Sequence, residues 1–245
     1  MSVLRMPGSI LMSRLKVYDT PTPDGQRGGT PHVHLLCSEM YTVLAGSGAV
    51  EIIDADGFSC VELHPNDALL FTPGTIHRLI NPAGDLEILV LMQNSGLPER
   101  GDNIVCFSEE WLTNDDSYAE AMRVQSLDDA YQRRDRGVEG FNQLKAAFAA
   151  NHEAGLAALR HFYELAEQRT AKFRDEWAQI VKDGALAAVN TTMSQLEALQ
   201  NHDTDYLLQA QHALITPNKT SLGFCGHLQR YFDPATLTPE GIRHS

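Results

Sequence analysis

At 245 residues with 43% hydrophobic content, the chain can bury a large core, either as one domain or as a domain with an extension. Its net charge of −13, from 19 basic and 32 acidic residues, speaks against nucleic acid or an anionic membrane as partner, because both are bound by basic surface. No apolar run approaches the ~20 residues that span a bilayer, no signal peptide is expected, and four scattered cysteines (Cys37, Cys60, Cys106, Cys225) without a CxxC pair read as reduced thiols of a cytoplasmic protein.

In chain order, residues 9–18 form a strand candidate, followed by a loop rich in Pro, Gly and Thr over 19–30. Such a strand is expected to pair with a sheet edge of its own or of a partner subunit, since an open edge invites aggregation. Residues 32–93 read as a run of short strands, the first carrying His32 and His34 and the others at 40–44, 49–54, 58–63, 68–72, 76–80 and 86–93. The turns between them include Ala45-Gly46-Ser47-Gly48, Ala55-Asp56-Gly57 and Asn81-Pro82-Ala83-Gly84. Many short strands with regular turns predict a closed barrel or jelly roll.

From Ser108 the pattern turns helical. Ser108 with Glu109 and Glu110 reads as an N-cap with first-turn acids, and Ser126 offers a second start. Apolar residues at spacings of three and four over 138–182 predict one or two amphipathic helices, stopped by Gly184. Shorter helices are expected over 186–199 and 206–214. The stretch 215–245 is loop-rich, with a strand over 222–232 that can return to the barrel. The expected organisation is a barrel over 1–105, a helical extension over 106–214 and a tail over 215–245. The extension is expected to cover the barrel and mediate dimerisation; the sharper alternative is a lid over the site.

The chemistry concentrates in Pro31-His32-Val33-His34-Leu35-Leu36-Cys37-Ser38-Glu39 and Thr72-Pro73-Gly74-Thr75-Ile76-His77. Side chains alternate along a strand, so His32 and His34 share one face. Glu39 follows after a turn long enough to reach the next strand, and His77 can close the set from a third. Three imidazoles and a carboxylate suit one divalent transition metal (Zn, Mn, Fe or Ni), with room for one or two waters. Alternation from Glu39 places Tyr41 and Val43 inward, and alternation from His77 does the same for Leu79. Tyr41 is the candidate catalytic residue, as acid/base or substrate donor. Arg78 is expected to point away, into a surface salt bridge, and Cys37 into the core. His227 is an extra candidate ligand if the C-terminal strand reaches the barrel mouth. His64, His152, His161, His202, His212 and His244 read as ordinary surface or core residues.

With Gly46 after Glu39, and with Pro73-Gly74, His77 and Asn81 in the second stretch, the sequence resembles the cupin family over about residues 25–95. The departures are Gly28 and Gly29, one or two positions off the usual place, Asp67 in place of an opening glycine, and a proline directly before Gly74. The resemblance implies a mainly β fold, a cupin double-stranded β-helix or jelly-roll barrel with an α-helical C-terminal extension. It also implies a metal on His32, His34, Glu39 and His77. The runs 77–84, 86–93 and 101–105 are similar to the cupin domain of bacterial mannose-6-phosphate isomerases. That similarity implies a sugar or sugar-like isomerase or epimerase acting through an enediol. An Fe(II)-dependent dioxygenase and a non-catalytic metal or small-ligand binding module are the alternatives. A small-molecule substrate and a homodimer are the expected partners.

Overall fold

The computed structural model describes residues 4–93, 96–233 and 238–239. Eleven strands form two antiparallel sheets. In chain order they are β1 (Leu11–Val17), β2 (His32–His34), β3 (Glu39–Ala45), β4 (Gly48–Asp54), β5 (Gly57–Leu63), β6 (Ala68–Phe71), β7 (Ile76–Ile80), β8 (Glu87–Met92), β9 (Asn103–Val105), β10 (Ser221–Leu222) and β11 (Gly226–Arg230). One sheet runs β10-β11-β1-β8-β3-β6 and the other β5-β4-β7-β2-β9. The N-terminal strand β1 is paired within its own chain, to β8 on one side and β11 on the other. Side chains from the facing sides of both sheets interdigitate in one core, including Leu15, Tyr41, Val43, Val50, Phe71, Leu79, Ile88 and Val90.

The outer face of the five-stranded sheet is also buried over β2, β7, β9 and the end of β4, while the edge strand β5 is largely exposed. Val33, Ile53, Ile76 and Ile104 pack there with Phe141, Leu144, Leu159, Phe162 and Leu165 of the helical region. That region comprises α1 (Glu109–Leu112), α2 (Asp115–Met122), α3 (Leu127–Ala150), α4 (His152–Thr170), α5 (Arg174–Val181) and α6 (Ala187–Gln200). Its starts follow local chemistry. At α3, Ser126 Oγ accepts from Asp129 N while Asp129 Oδ2 accepts from Ser126 N, a reciprocal capping box. Asn151 Oδ1 caps α4 through Ala154 N at 2.8 Å. Ser108 precedes α1, but its hydroxyl goes to Glu110 instead of a backbone N–H. No helix among the described residues is long and apolar enough to cross a membrane.

Two helix expectations are corrected. Gly184 does not stop the helix: the chain continues through a π-helical turn, Lys182–Leu186, into α6. The glycine serves close packing there, since a Cβ at 184 would meet Ser9 Oγ at 2.5 Å. Past α6 only a short 3₁₀ turn forms, Asp205–Gln209, in place of a helix over 206–214.

Arg78 is corrected as well. It does point away from the inner face, but that outer face is covered, and the residue is fully buried. Its guanidinium donates to Asp24 Oδ2 at 2.6 Å, to Glu51 Oε2 at 3.3 Å and to Thr22 Oγ1 at 2.8 Å, while Lys145 of α3 reaches Glu51 Oε1 at 3.1 Å. Burial would raise the Asp24 pKa, but the hydrogen bonds from Arg78 and Thr22 outweigh it and hold the group well below the ordinary carboxylate range.

Arg78→Met should therefore lower stability by about 3 kcal/mol, because it strands the buried Glu51 beside a single remaining cation and leaves Asp24 without its ion pair. The native contribution of Asp24 should be fully present above about pH 3.8, its unfolded value, and be lost as pH falls from there toward the lower folded value. Denaturant midpoints measured across that range check both; an unchanged midpoint in the variant would refute the role given to Arg78.

Candidate metal centre

The structure brings His32, His34, Glu39 and His77 together: one ligand atom of each lies within 4.8 Å of the others, and all four residues are buried. The sheets explain the convergence. His32 and His77 are direct cross-strand partners on β2 and β7, and His34 follows on the same face of β2. Glu39 opens β3 in the opposite sheet and faces them across the barrel. Its Oε2 lies 3.0 Å from His77 Nε2 and 3.5 Å from His34 Nε2.

Those spacings fit an ion. Two donors each about 2.1 Å from one metal, at tetrahedral or octahedral angles, lie about 3.0–3.4 Å apart. The tautomers agree, because His32 Nδ1 lies 2.9 Å from Thr30 O and His77 Nδ1 3.0 Å from Thr75 O, which leaves each Nε2 lone pair for a ligand role. Glu39 Oε2 and His77 Nε2 are buried without a hydrogen-bond partner. Burial and the neighbouring His77 and His34 push the His32 pKa well below its ordinary value. Burial also works against protonated His34, yet Asp102 and Glu39 raise it to about 9. Glu39 is held far below the carboxylate range, since His34 and His77 overcome the effect of burial.

Asp102, fully buried, positions the set. Its carboxylate accepts from Leu35 N at 3.1 Å, Leu36 N at 2.8 Å and Cys37 N at 3.0 Å, and lies 3.6 Å from His34 Nδ1. It thus pins the turn that carries the chain from one sheet to the other. Tyr41 is buried, with its ring 5.8 Å from that of His77, and Phe71 stacks on His77 at 4.4 Å. Burial and the Glu39 carboxylate push the Tyr41 hydroxyl well above its ordinary value, so it remains a proton donor. Cys37 packs in the core, its Sγ bonded to Gln93 O.

The C-terminal stretch supplies a wall of the site, though not through His227. On β11, Leu228 and Arg230 line the cavity; His227 has the opposite parity and packs edge-on against Tyr18 at 5.5 Å. Phe224 and Cys225 reach the site instead. The Phe224 ring is 5.4 Å from the His32 ring, and Cys225 Sγ is 3.9 Å from His32 Nδ1. Burial pushes the Cys225 thiol up to about 12, so it stays neutral. Gly29 permits this approach, for a Cβ there would meet Cys225 Cβ at 2.6 Å. The cavity measures about 200 Å³ and is also lined by Ser13, Leu15, Val90, Met92, Glu99 and Arg133. Glu99 has one buried carboxyl oxygen without a partner, and burial raises its pKa. Sequence reasoning missed Asp102, Glu99, Arg133 and Cys225 as site residues. The run Gly101-Asp102-Asn103 was the one available signal.

Residues 22–92 match the Cupin_2 family, described as a cupin domain, and with the two-sheet architecture this defines the barrel as a cupin fold followed by a helical region. Solved structures similar to the chain include a cupin protein from Bacteroides fragilis at 21% identity, covering 34% of this chain and 63% of that one with a TM-score of 0.25. Others are the Streptomyces nucleoside dehydratase Pac13, at 19% identity over 36% and 62% with a TM-score of 0.27, and the DMSP lyase DddQ from Ruegeria pomeroyi, at 22% over 35% and 39% with a TM-score of 0.28. The chain thus spans less than two thirds of each of these proteins. No curated protein sequence matches it.

Glu39→Gln and His77→Ala should each abolish stoichiometric metal in protein purified without a metal-binding tag. Elemental analysis decides, and full occupancy in both variants would refute the site.

Proposed function

We propose that the protein is a metal-dependent enzyme that isomerises or epimerises a small sugar-like substrate. The observation that carries this reading is the sharing of one cavity by His32, His34, Glu39 and Glu99, a carboxyl with heightened proton affinity, with His77 completing the metal-competent set behind the wall. Proton transfer next to a carbonyl is helped by an electrophile that polarises the carbonyl and by a base of raised proton affinity. A divalent ion on His32, His34, Glu39 and His77 would polarise the substrate carbonyl. Glu99 removes the proton from the carbon next to the carbonyl and delivers it to the former carbonyl carbon, while Tyr41 gives a proton to the carbonyl oxygen and takes one back from the neighbouring hydroxyl, so the reaction is balanced and redox-neutral. Tyr41 offers its O–H to the oxygen where negative charge develops. The resemblance read in the sequence, over 77–84, 86–93 and 101–105, to mannose-6-phosphate isomerase cupin domains is in keeping with this reading.

An Fe(II)-dependent dioxygenase is the second reading, favoured by the apolar lining of Leu15, Val90, Met92, Phe224 and Leu228. Elemental analysis of anaerobically purified protein, with oxygen uptake and an aldose–ketose screen on the same sample, separates the two. Iron with substrate-dependent oxygen uptake would refute the isomerase.

For the isomerase, Glu99→Gln should lower kcat by about 10²–10⁴-fold with metal content unchanged. In the native enzyme kcat/KM should rise with pH through a pKa above the ordinary glutamate range, because the base must be ionised, and this limb should vanish in the variant.

The expected homodimer finds support in α6. Leu186, Val189, Met193, Leu196 and Leu199 are exposed at helical spacing, and Glu197 is the one charged residue between 187 and 200. Copies carrying −13 each need such an uncharged stripe to meet. Sedimentation should give twice the chain mass, and Met193→Glu with Leu196→Glu should give one chain mass. A monomeric native protein would sink this.

A further inference from the structure

Arg133 of α3 is buried in the wall of the metal cavity, at 6% exposure, without an acidic partner. Its Cζ lies over the Phe224 ring, 4.4 Å from the centroid, and the guanidinium donates one hydrogen bond, from Nη2 to Gly223 O at 2.8 Å. Nε is buried and bonded to nothing. The other guanidinium of the cavity, Arg230, has Glu99 at 3.8 Å, and Glu39 is committed to the histidines. No carboxylate among the described residues is left for Arg133. Burial lowers its pKa, and the groups that oppose this are neutral at ordinary pH: Tyr18, Cys225 and Tyr118.

An arginine is costly to bury without a counter-charge, and the cost falls when an anion enters beside it. The position is telling. Phe224 touches His32 on one side and Arg133 on the other, so the guanidinium stands one ring away from the metal ligands, on the same cavity. A divalent ion together with Arg133 and Arg230, against Glu39, Glu99 and Asp102, would leave this pocket cationic inside a protein of net charge −13. Its volume of about 200 Å³ lies below the roughly 300–1,000 Å³ of drug-sized sites, which restricts the occupant to a small molecule.

We infer that the substrate is a small hydroxy or oxo acid whose carboxylate is bound by Arg133 while its oxygen functions face the four metal-competent residues. A planar carboxylate matches a single guanidinium fork; a phosphate dianion would call for more donors than Arg133, the one cavity cation without an acidic partner among the described residues, offers. This deepens the isomerase reading and rests on its choice of cavity, although binding of the acid does not require that reaction.

The test is calorimetric titration of the metal-loaded full-length protein with matched pairs: glucuronate and glucose, gluconate and sorbitol, threonate and threitol. At least one acid should bind at least about tenfold tighter than its neutral partner. Arg133→Met should weaken that acid by about 30-fold, leaving the neutral compound, the metal content and the circular dichroism spectrum unchanged. Arg133→Lys, which keeps the charge, should recover part of the loss. Equal binding within every pair, or no binding of any acid, overturns the inference. Equal weakening of acid and neutral compound in Arg133→Met overturns it too, since Arg133 would then only hold Gly223 and Phe224 in place. Tighter binding of glucose 6-phosphate than of every acid overturns the carboxylate assignment. Acid-selective binding without turnover leaves this inference standing and removes the isomerase alone.

Discussion

The site depends on one buried carboxylate that is not a candidate ligand. Between His34 and Glu39 the chain leaves one sheet and enters the other, so the amides of residues 35–37 lie outside the strand ladders, although only Cys37 of the three is fully buried. Asp102 takes all three N–H groups. Unsatisfied buried amides cost free energy comparable to lost hydrogen bonds. Satisfied by one rigid acceptor, they fix the turn, and with it the separation of His34 from Glu39. The same carboxylate faces His34 Nδ1, so the ring and the crossover are aligned by a single group. Asp102 immediately precedes β9, which pairs with β2, so the strand carrying two histidines and the residue that orients one of them are placed by the same ladder.

The helical region completes the barrel. Because α3 and α4 cover the outer face of the middle of the five-stranded sheet, β2 and β7 are buried along their whole length, while the edge strand β5 stays largely exposed. Polar residues on the covered face must then be paired, and Arg78, Asp24, Glu51, Thr22 and Lys145 answer that need together. One turn of α3 also sends two arginines inward. Arg134 ties down the N-terminal loop through Thr20 and Pro21, and Arg133 faces the cavity through Phe224. The extension is therefore wall and anchor at once.

Strand parity made much of this readable. It is a local rule, and it placed His32 with His34, Glu39 with Tyr41, and His77 with Leu79. It also gave the direction of Arg78 correctly, yet direction is not exposure: whether the outer face meets water depends on helices more than fifty residues away in sequence. His227 shows the converse. A strand returning to the barrel was foreseeable, but its register against β1 decides which alternate residues face inward, and a shift of one would exchange His227 for Leu228. Gly184 failed as a stop signal because close packing against Ser9 needs a glycine as much as a helix end does. Glu99, Arg133 and Cys225 come from a loop, a helix and the tail. No periodicity links them, and only tertiary structure brings them to one cavity.

That cavity separates two demands that oppose each other elsewhere in a protein. A metal set must be dry enough for its charges to act strongly, and a substrate must still enter. The inner end meets the first demand: Phe71 stacks on His77, Phe224 abuts His32, and Tyr41 closes the floor with a hydroxyl that holds its proton. The outer end meets the second with Ser13, Glu99 and the two arginines. An acidic surface would repel an anion at long range, but salt screens that repulsion beyond about 10 Å. Inside, the field is set by the few groups that line the walls. An excess of buried positive charge there is tolerable only while the protein keeps it small and lets the ligand neutralise it. A single unpaired guanidinium beside one metal set meets that limit, and a larger cluster of cations would exceed it.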